Sequence, residues 1–123
     1  ADPENRWWAR WQPRRLEGEA IRDALLSVSG LLDERLDGPG TLDPQQRRRS
    51  LYFTVKRSQL IPMLTVFDGP DGTTPVPVRP RTTVAPQALW LLNDPTVQAA
   101  AQRLATDIPR SDNLTQDLEQ LFQ

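Results

Sequence analysis

The sequence predicts a mainly α-helical, single small domain of four or five helices, with one short extended segment and a proline-rich connection. Three observations carry this expectation. Apolar residues recur at helical spacing in several stretches. Most of the 12 prolines fall at the ends of those stretches rather than within them. One brief alternation of apolar and polar residues reads as extended chain. With 123 residues, 37 % hydrophobic and 7 % aromatic, residues 1–123 suit one modest core and not two.

The first element is expected from Pro13 to Ser29. Leu16, Ala20, Ala24 and Val28 recur every fourth residue, and Ile21, Leu25 and Leu32 widen the stripe. Pro13 suits a first turn, where its missing N–H has no partner to lose, and Gly30 suits a left-handed exit. Gly18 within that helix costs about 1 kcal/mol relative to Ala, which points to a neighbour crossing closely there. Residues 33–49 are polar and turn-rich, an ordered loop. Leu51, Phe53 and Val55 then alternate with Tyr52, Thr54 and Lys56, the pattern of a half-buried strand with one partner or none.

Leu60, Ile61, Leu64 and Phe67 lie at helical spacing in a segment from Ser58 to Phe67, with Ser58 as cap and Pro62 tolerated in the first turn. Asp68-Gly69-Pro70-Asp71-Gly72 ends it with turn chemistry. The alternating prolines of 74–80 enforce an extended path. Pro86 opens a helix containing Ala88, Leu89, Leu91 and Leu92, and Asn93-Asp94-Pro95 stops it. Asp94 caps the next helix and Pro95 is its first residue. Val97, Ala100, Ala101, Leu104 and Ala105 form the apolar face of that helix. A final stripe follows the Ser111-Asp112-Asn113 caps, with Leu114, Leu118, Leu121 and Phe122. That stripe breaks off at Gln123, and the chain opens on Ala1 without a leader, so the sequence reads as a fragment of a larger protein. No apolar run approaches the roughly 18 residues of a membrane span.

Composition narrows the chemistry. Without Cys or His, thiolate catalysis, covalent haem attachment, the usual zinc sites and every imidazole-based mechanism are excluded from this chain. No metal site and no cofactor are indicated. Fifteen basic against sixteen acidic residues leave a net charge of −1, too balanced for a nucleic acid partner to be expected.

Two basic constellations stand out. In Arg6-Trp7-Trp8-Ala9-Arg10-Trp11, indoles can stack on sugar rings while the guanidinium groups of Arg6 and Arg10 take sulfate or phosphate. The plainer expectation is burial of two of the three indoles, against the helix from Pro13 or against a neighbouring domain. Arg47, Arg48 and Arg49, with Lys56 and Arg57, form a candidate basic patch. Local ion pairing with Glu17, Glu19, Asp23 and Asp33 is its plainer use. Carboxylates are the only ordinary acid–base candidates, Glu17, Glu19 and Asp23 on the first helix and Asp68 and Asp71 beside a glycine turn among them, and their spacing matches neither a calcium loop nor a catalytic signature.

Three stretches resemble a known family in combination. One runs Asn5-Arg6, then Arg14-Arg15-Leu16-Glu17, Glu19-Ala20-Ile21-Arg22-Asp23-Ala24-Leu25-Leu26 and Val28-Ser29-Gly30. The second is Arg48-Arg49-Ser50-Leu51-Tyr52 with Pro62-Met63-Leu64 and Phe67-Asp68. The third is Thr82-Thr83-Val84-Ala85-Pro86-Gln87-Ala88-Leu89 with Leu91-Leu92-Asn93-Asp94. Over most of residues 3–105 they resemble the planctomycete PSD1 family, the domain of unknown function 1553. The resemblance implies the C-terminal region of a large exported bacterial protein, commonly with a cytochrome-c-like domain upstream. The family's biochemical role is unassigned, complex polysaccharide breakdown being the usual conjecture. Family members often carry a Cys in the turn matching Gly72-Thr73-Thr74, which this chain lacks.

The leading functional expectation is a non-catalytic structural or interaction module of that larger protein. Its partners would be neighbouring domains of the same parent chain, with polysaccharide as a further one. The alternative is recognition of an anionic glycan or other polyanion by the Arg/Trp segment. A carboxylate-based hydrolase is the third reading.

Overall fold

A computed structural model describes residues 2–11, 13–73, 75 and 77–107. Among these residues the chain forms four α-helices: α1 Gly18–Val28, α2 Pro62–Val66, α3 Ala85–Asn93 and α4 Pro95–Asp107. A 3-10 turn, Ser50–Tyr52, lies between α1 and α2. There is no strand among the described residues. Three isolated bridges, Asp33 with Arg48, Thr41 with Phe53 and Lys56 with Gln59, pin the loops instead. α1 lies against the 3-10 turn, α2 and α4, while α3 packs on α2 and α4. The mainly helical class is as the sequence predicts.

α1 departs from its predicted phase. Gly18, Arg22 and Leu26 are buried, and Ser29 continues the same face. Leu16, Ala20, Ala24 and Val28 point to solvent, with Leu16 58 % and Val28 65 % exposed. The inward face is therefore offset by two residues from that series, just over half a turn, with Ile21 and Leu25, which widen the stripe, half-buried at its border. Its ends explain the choice. Gly18 lies so close to Phe67 that an added Cβ would sit 2.8 Å from the Phe67 Cβ. At the other end the Ser29 hydroxyl donates to the carbonyls of Leu25 and Leu26. Small residues on that face let neighbours approach, and the space between them is filled by Arg22. The close crossing expected at Gly18 is thus present, at the first residue of the helix and not within it.

α1 also begins later than Pro13. Residues 13–17 carry no helix, and Glu17 is extended with ψ 154°. From this stretch the Arg15 guanidinium reaches the Thr82 carbonyl (2.7 Å) and the Asp68 carboxylate. The helix ends where Gly30 supplies a left-handed φ of +64°.

The strand alternation at 51–55 is overturned. Phe53 is buried, but Leu51 and Val55 are both more than half exposed. Asp23 holds the N–H and hydroxyl of Ser50 at 2.8 and 2.7 Å, and Phe53 N–H closes back on the Ser50 carbonyl. That tie curls the segment into a 3-10 turn. Its contact with extended chain is at Thr41, which exchanges backbone hydrogen bonds with Tyr52 and Thr54.

α2 starts at Pro62, not Ser58, because residues 56–59 close a turn of their own. α3 contains Pro86 in its first turn as expected. Asp94 caps α4 as predicted, its Oδ1 accepting from the N–H groups of Thr96 (2.8 Å) and Val97 (3.4 Å). Among the described residues the buried apolar ones are Leu26, Phe53, Ile61, Met63, Phe67 and Ala100. Trp90 meets Phe67 edge to face at 5.7 Å. The expected helix after Asp112 lies outside the described residues, as do Thr74 and Val76 of the proline-rich connection.

Candidate functional site

The N-terminal segment folds on itself. Asn5 takes a left-handed φ of 52°, and its amide clasps Arg10 at both ends, donating to the Arg10 carbonyl (2.8 Å) and accepting from its N–H (3.1 Å). Trp7 N–H donates to Asp2, and the Arg10 guanidinium donates to the Pro3 carbonyl. This closed loop presents Trp7, Trp8 and Trp11 to solvent, each more than 80 % exposed. Burial of two indoles against α1 does not occur. Arg6 pairs with Glu4 at 2.6 Å on the surface. A depression of about 400 Å³ is lined by Trp8, Trp11, Arg6, Arg10 and Arg14, with Glu4 and Asn5 at its side. The loop therefore brings Arg6, Trp8, Arg10 and Trp11 around one concave surface, while Trp7 lies apart from it, beside Asp2, Pro3 and Glu4.

The basic run 47–49 divides. Arg48 turns inward, its guanidinium 3.6 Å from the Tyr52 ring centre and donating to the carbonyls of Arg35, Asp37 and Pro39. Arg49 approaches Asp23 at 3.7 Å. Arg47, Lys56 and Arg57 are exposed. Glu17 and Glu19 pair elsewhere: Arg79 forks Glu19 at 2.9 and 3.0 Å and reaches Glu17 at 3.3 Å, and Arg81 reaches Glu17 at 3.8 Å. Arg35 forks Asp33, which holds the Asp33 carboxyl below its usual range.

Asp68 organises the crossing of three segments. It sits in the left-handed region, φ 62°, and accepts from Thr82 N–H (2.8 Å), Thr82 hydroxyl (2.8 Å) and Arg15. The Thr82 backbone N–H above all, then the Thr82 hydroxyl and Arg15, lower the Asp68 pKa against the opposing cost of desolvation. Asp71 accepts from Thr73 N–H and hydroxyl within its turn. Each of these carboxylates is engaged in shaping loops.

The sequence gives little sign of Arg22, which is 3 % exposed. Nη1 donates to the Arg48 carbonyl (2.9 Å) and Ser50 hydroxyl (3.3 Å), and Nη2 to the Gln46 carbonyl. The guanidinium lies 4.8 Å from the Phe53 ring centre, and Asp23 is 3.6 Å away. Burial pulls the Arg22 pKa below its ordinary value, and Asp23 and then Asp94 work against that. An arginine stays charged under such a shift, so the charge is held inside the fold by carbonyls, a ring face and Asp23. The signal available beforehand was spacing: Gly18, Arg22 and Leu26 are four apart, as regular as the apolar stripe. Beside Arg22 a cavity of about 150 Å³ is lined by residues of α1, α2, α3 and the α4 cap, including Met63, Trp90 and Asp94.

No curated protein and no solved structure matches the chain. The sequence pattern defining PSD1, a protein of unknown function (DUF1553), matches residues 1–123. With that match spanning the whole chain, the protein belongs to the PSD1 family.

Proposed function

We propose that this chain is a non-catalytic structural or interaction module of a larger exported bacterial protein, docking onto neighbouring parts of its parent through the outward face of α1. The observation that carries the reading is the apolar stripe Ala20, Ala24 and Val28 of α1, with Leu16 just ahead of the helix, all exposed to solvent while Arg22 and Leu26 face in. An amphipathic helix ordinarily turns such a stripe to its own core. An outward stripe suits a second surface. The exposed indoles and the exposed Leu89 and Leu92 of α3 add to the apolar area available for docking. The resemblance to C-terminal regions of exported proteins supports the context.

The test is Ala24→Glu. Ala24 is exposed, so the isolated chain keeps its unfolding free energy in urea to within about 0.5 kcal/mol. In the intact parent the same change lowers the Tm. An unchanged parent Tm overturns the docking reading. The loop's concave Arg/Trp surface favours one further reading, recognition of an anionic glycan through indole stacking and guanidinium contacts. Retention on an acidic polysaccharide at low salt, abolished in the Trp7→Ala, Trp8→Ala, Trp11→Ala variant, supports it, and no retention of the unaltered chain removes it.

A further inference from the structure

The cavity beside Arg22 has the composition of a small-molecule site. Its lining combines the apolar side chains of Phe53, Ile61, Met63 and Trp90 with the neutral polar Gln45 and Thr96, and two charged residues of opposite sign reach it, Arg22 and Asp94. Neither is fully engaged. The hydrogen bonds of Arg22 run from Nη1 and Nη2, and its Nε–H has no acceptor among the described residues. Its ion-pair partner is Asp23, not Asp94. Asp94 uses Oδ1 for the α4 cap, and Oδ2 accepts no hydrogen bond among the described residues.

The volume, about 150 Å³, is of the order that admits a benzene ring. The polar groups select what the ring carries. A carboxylate would meet the Asp94 charge, and an ammonium the Arg22 charge. A pure hydrocarbon would cover both polar groups without satisfying either, at a cost of desolvation. A neutral group that both donates and accepts satisfies both, and a phenolic hydroxyl does so on a flat aromatic body that suits Trp90 and Phe53.

We propose that this cavity binds a small phenol, its ring among Phe53, Ile61, Met63 and Trp90, its oxygen accepting from Arg22 Nε–H and its hydroxyl donating to Asp94. The site is independent of the docking face of α1, since it lies on the opposite, inward side of that helix.

Met63 is the one methionine of the chain and lines the cavity, so its labelled methyl resonance reports occupancy directly. Titration of the whole chain with phenol is expected to shift that resonance along a saturating curve. Toluene, of similar shape but without the hydroxyl, binds at least about 10-fold more weakly, as hydrogen bonds to charged groups require. Asp94→Asn retains an oxygen for the α4 cap but replaces the second oxygen with a donor, so the phenol preference over toluene falls about 10-fold. Absence of a phenol shift, equal affinity for toluene, or an unchanged preference in Asp94→Asn each overturns the proposal.

Discussion

Asp68 joins the end of α2 to Thr82 and to Arg15, residues far apart in the chain, through one carboxylate. Asp68→Asn keeps a residue suited to the left-handed backbone and removes the charge. The expected loss is about 2 kcal/mol at pH 7, read from urea unfolding. The pH dependence follows from the depressed folded pKa. The stabilisation is fully present above the unfolded carboxyl value of about 3.9, and it is lost as the pH falls through the lower folded value. The unaltered protein therefore loses this stabilisation progressively as the pH falls below about 3.9, while the Asn variant shows a shallower slope in that window. Equal slopes for the two proteins would mean that Asp68 does not titrate differently on folding. The turn chemistry of Asp68-Gly69 was legible in the sequence. Its partners Thr82 and Arg15 were not, because no local rule pairs residues 14 and 53 positions away.

Among the elements, α1 shows where periodicity stops being decisive. Its stripe of Leu16, Ala20, Ala24 and Val28 is regular, yet two of its four members are alanines, with little area to bury. The opposite face has Gly18 and Ser29, which let Phe67 and the backbone come close. Gly18→Ala is a direct check. Helix propensity alone predicts a gain of up to about 1 kcal/mol, whereas a Cβ 2.8 Å from the Phe67 Cβ predicts overpacking at about 1–3 kcal/mol. The steric effect is expected to win, giving a lower urea midpoint. Gly30→Ala serves as comparison, since a Cβ there meets nothing within 4 Å and only the φ of +64° opposes it, a cost of about 1 kcal/mol. A stabilised Gly18→Ala protein would mean that α1 and Phe67 are not tightly apposed. The caps, by contrast, were readable because they act within three residues: Asp94 reaches only to Thr96 and Val97.

At the scale of the molecule, the six buried apolar residues among the described residues are supplemented by long-range guanidinium ties: Arg15 to Thr82, Arg79 to Glu19, and Arg22 to the Arg48 carbonyl. Phe67 is where the two systems meet. It lies under Gly18, takes Trp90 edge to face, and has the Arg15 guanidinium 5.5 Å from its ring centre. Phe67→Ala is expected to cost about 3–5 kcal/mol, a large share of the roughly 5–15 kcal/mol that holds an ordinary domain folded. The thermal transition should broaden or disappear, as followed by circular dichroism. A Tm within a few degrees of the unaltered chain would show that the core is centred elsewhere.

The amino-acid order by itself determined the helical class and several helix ends: Pro86, Asp94-Pro95 and Gly30 act through backbone geometry and caps that need no distant partner, whereas α1 and α2 start later than the sequence predicts. Tertiary structure alone decided which side of α1 faces inward, why Ser50–Tyr52 curls instead of extending, and why a charged Arg22 is buried. Those outcomes depend on which carbonyls, rings and carboxylates arrive opposite each residue once the loops close, and such long-range contacts leave no period in the chain.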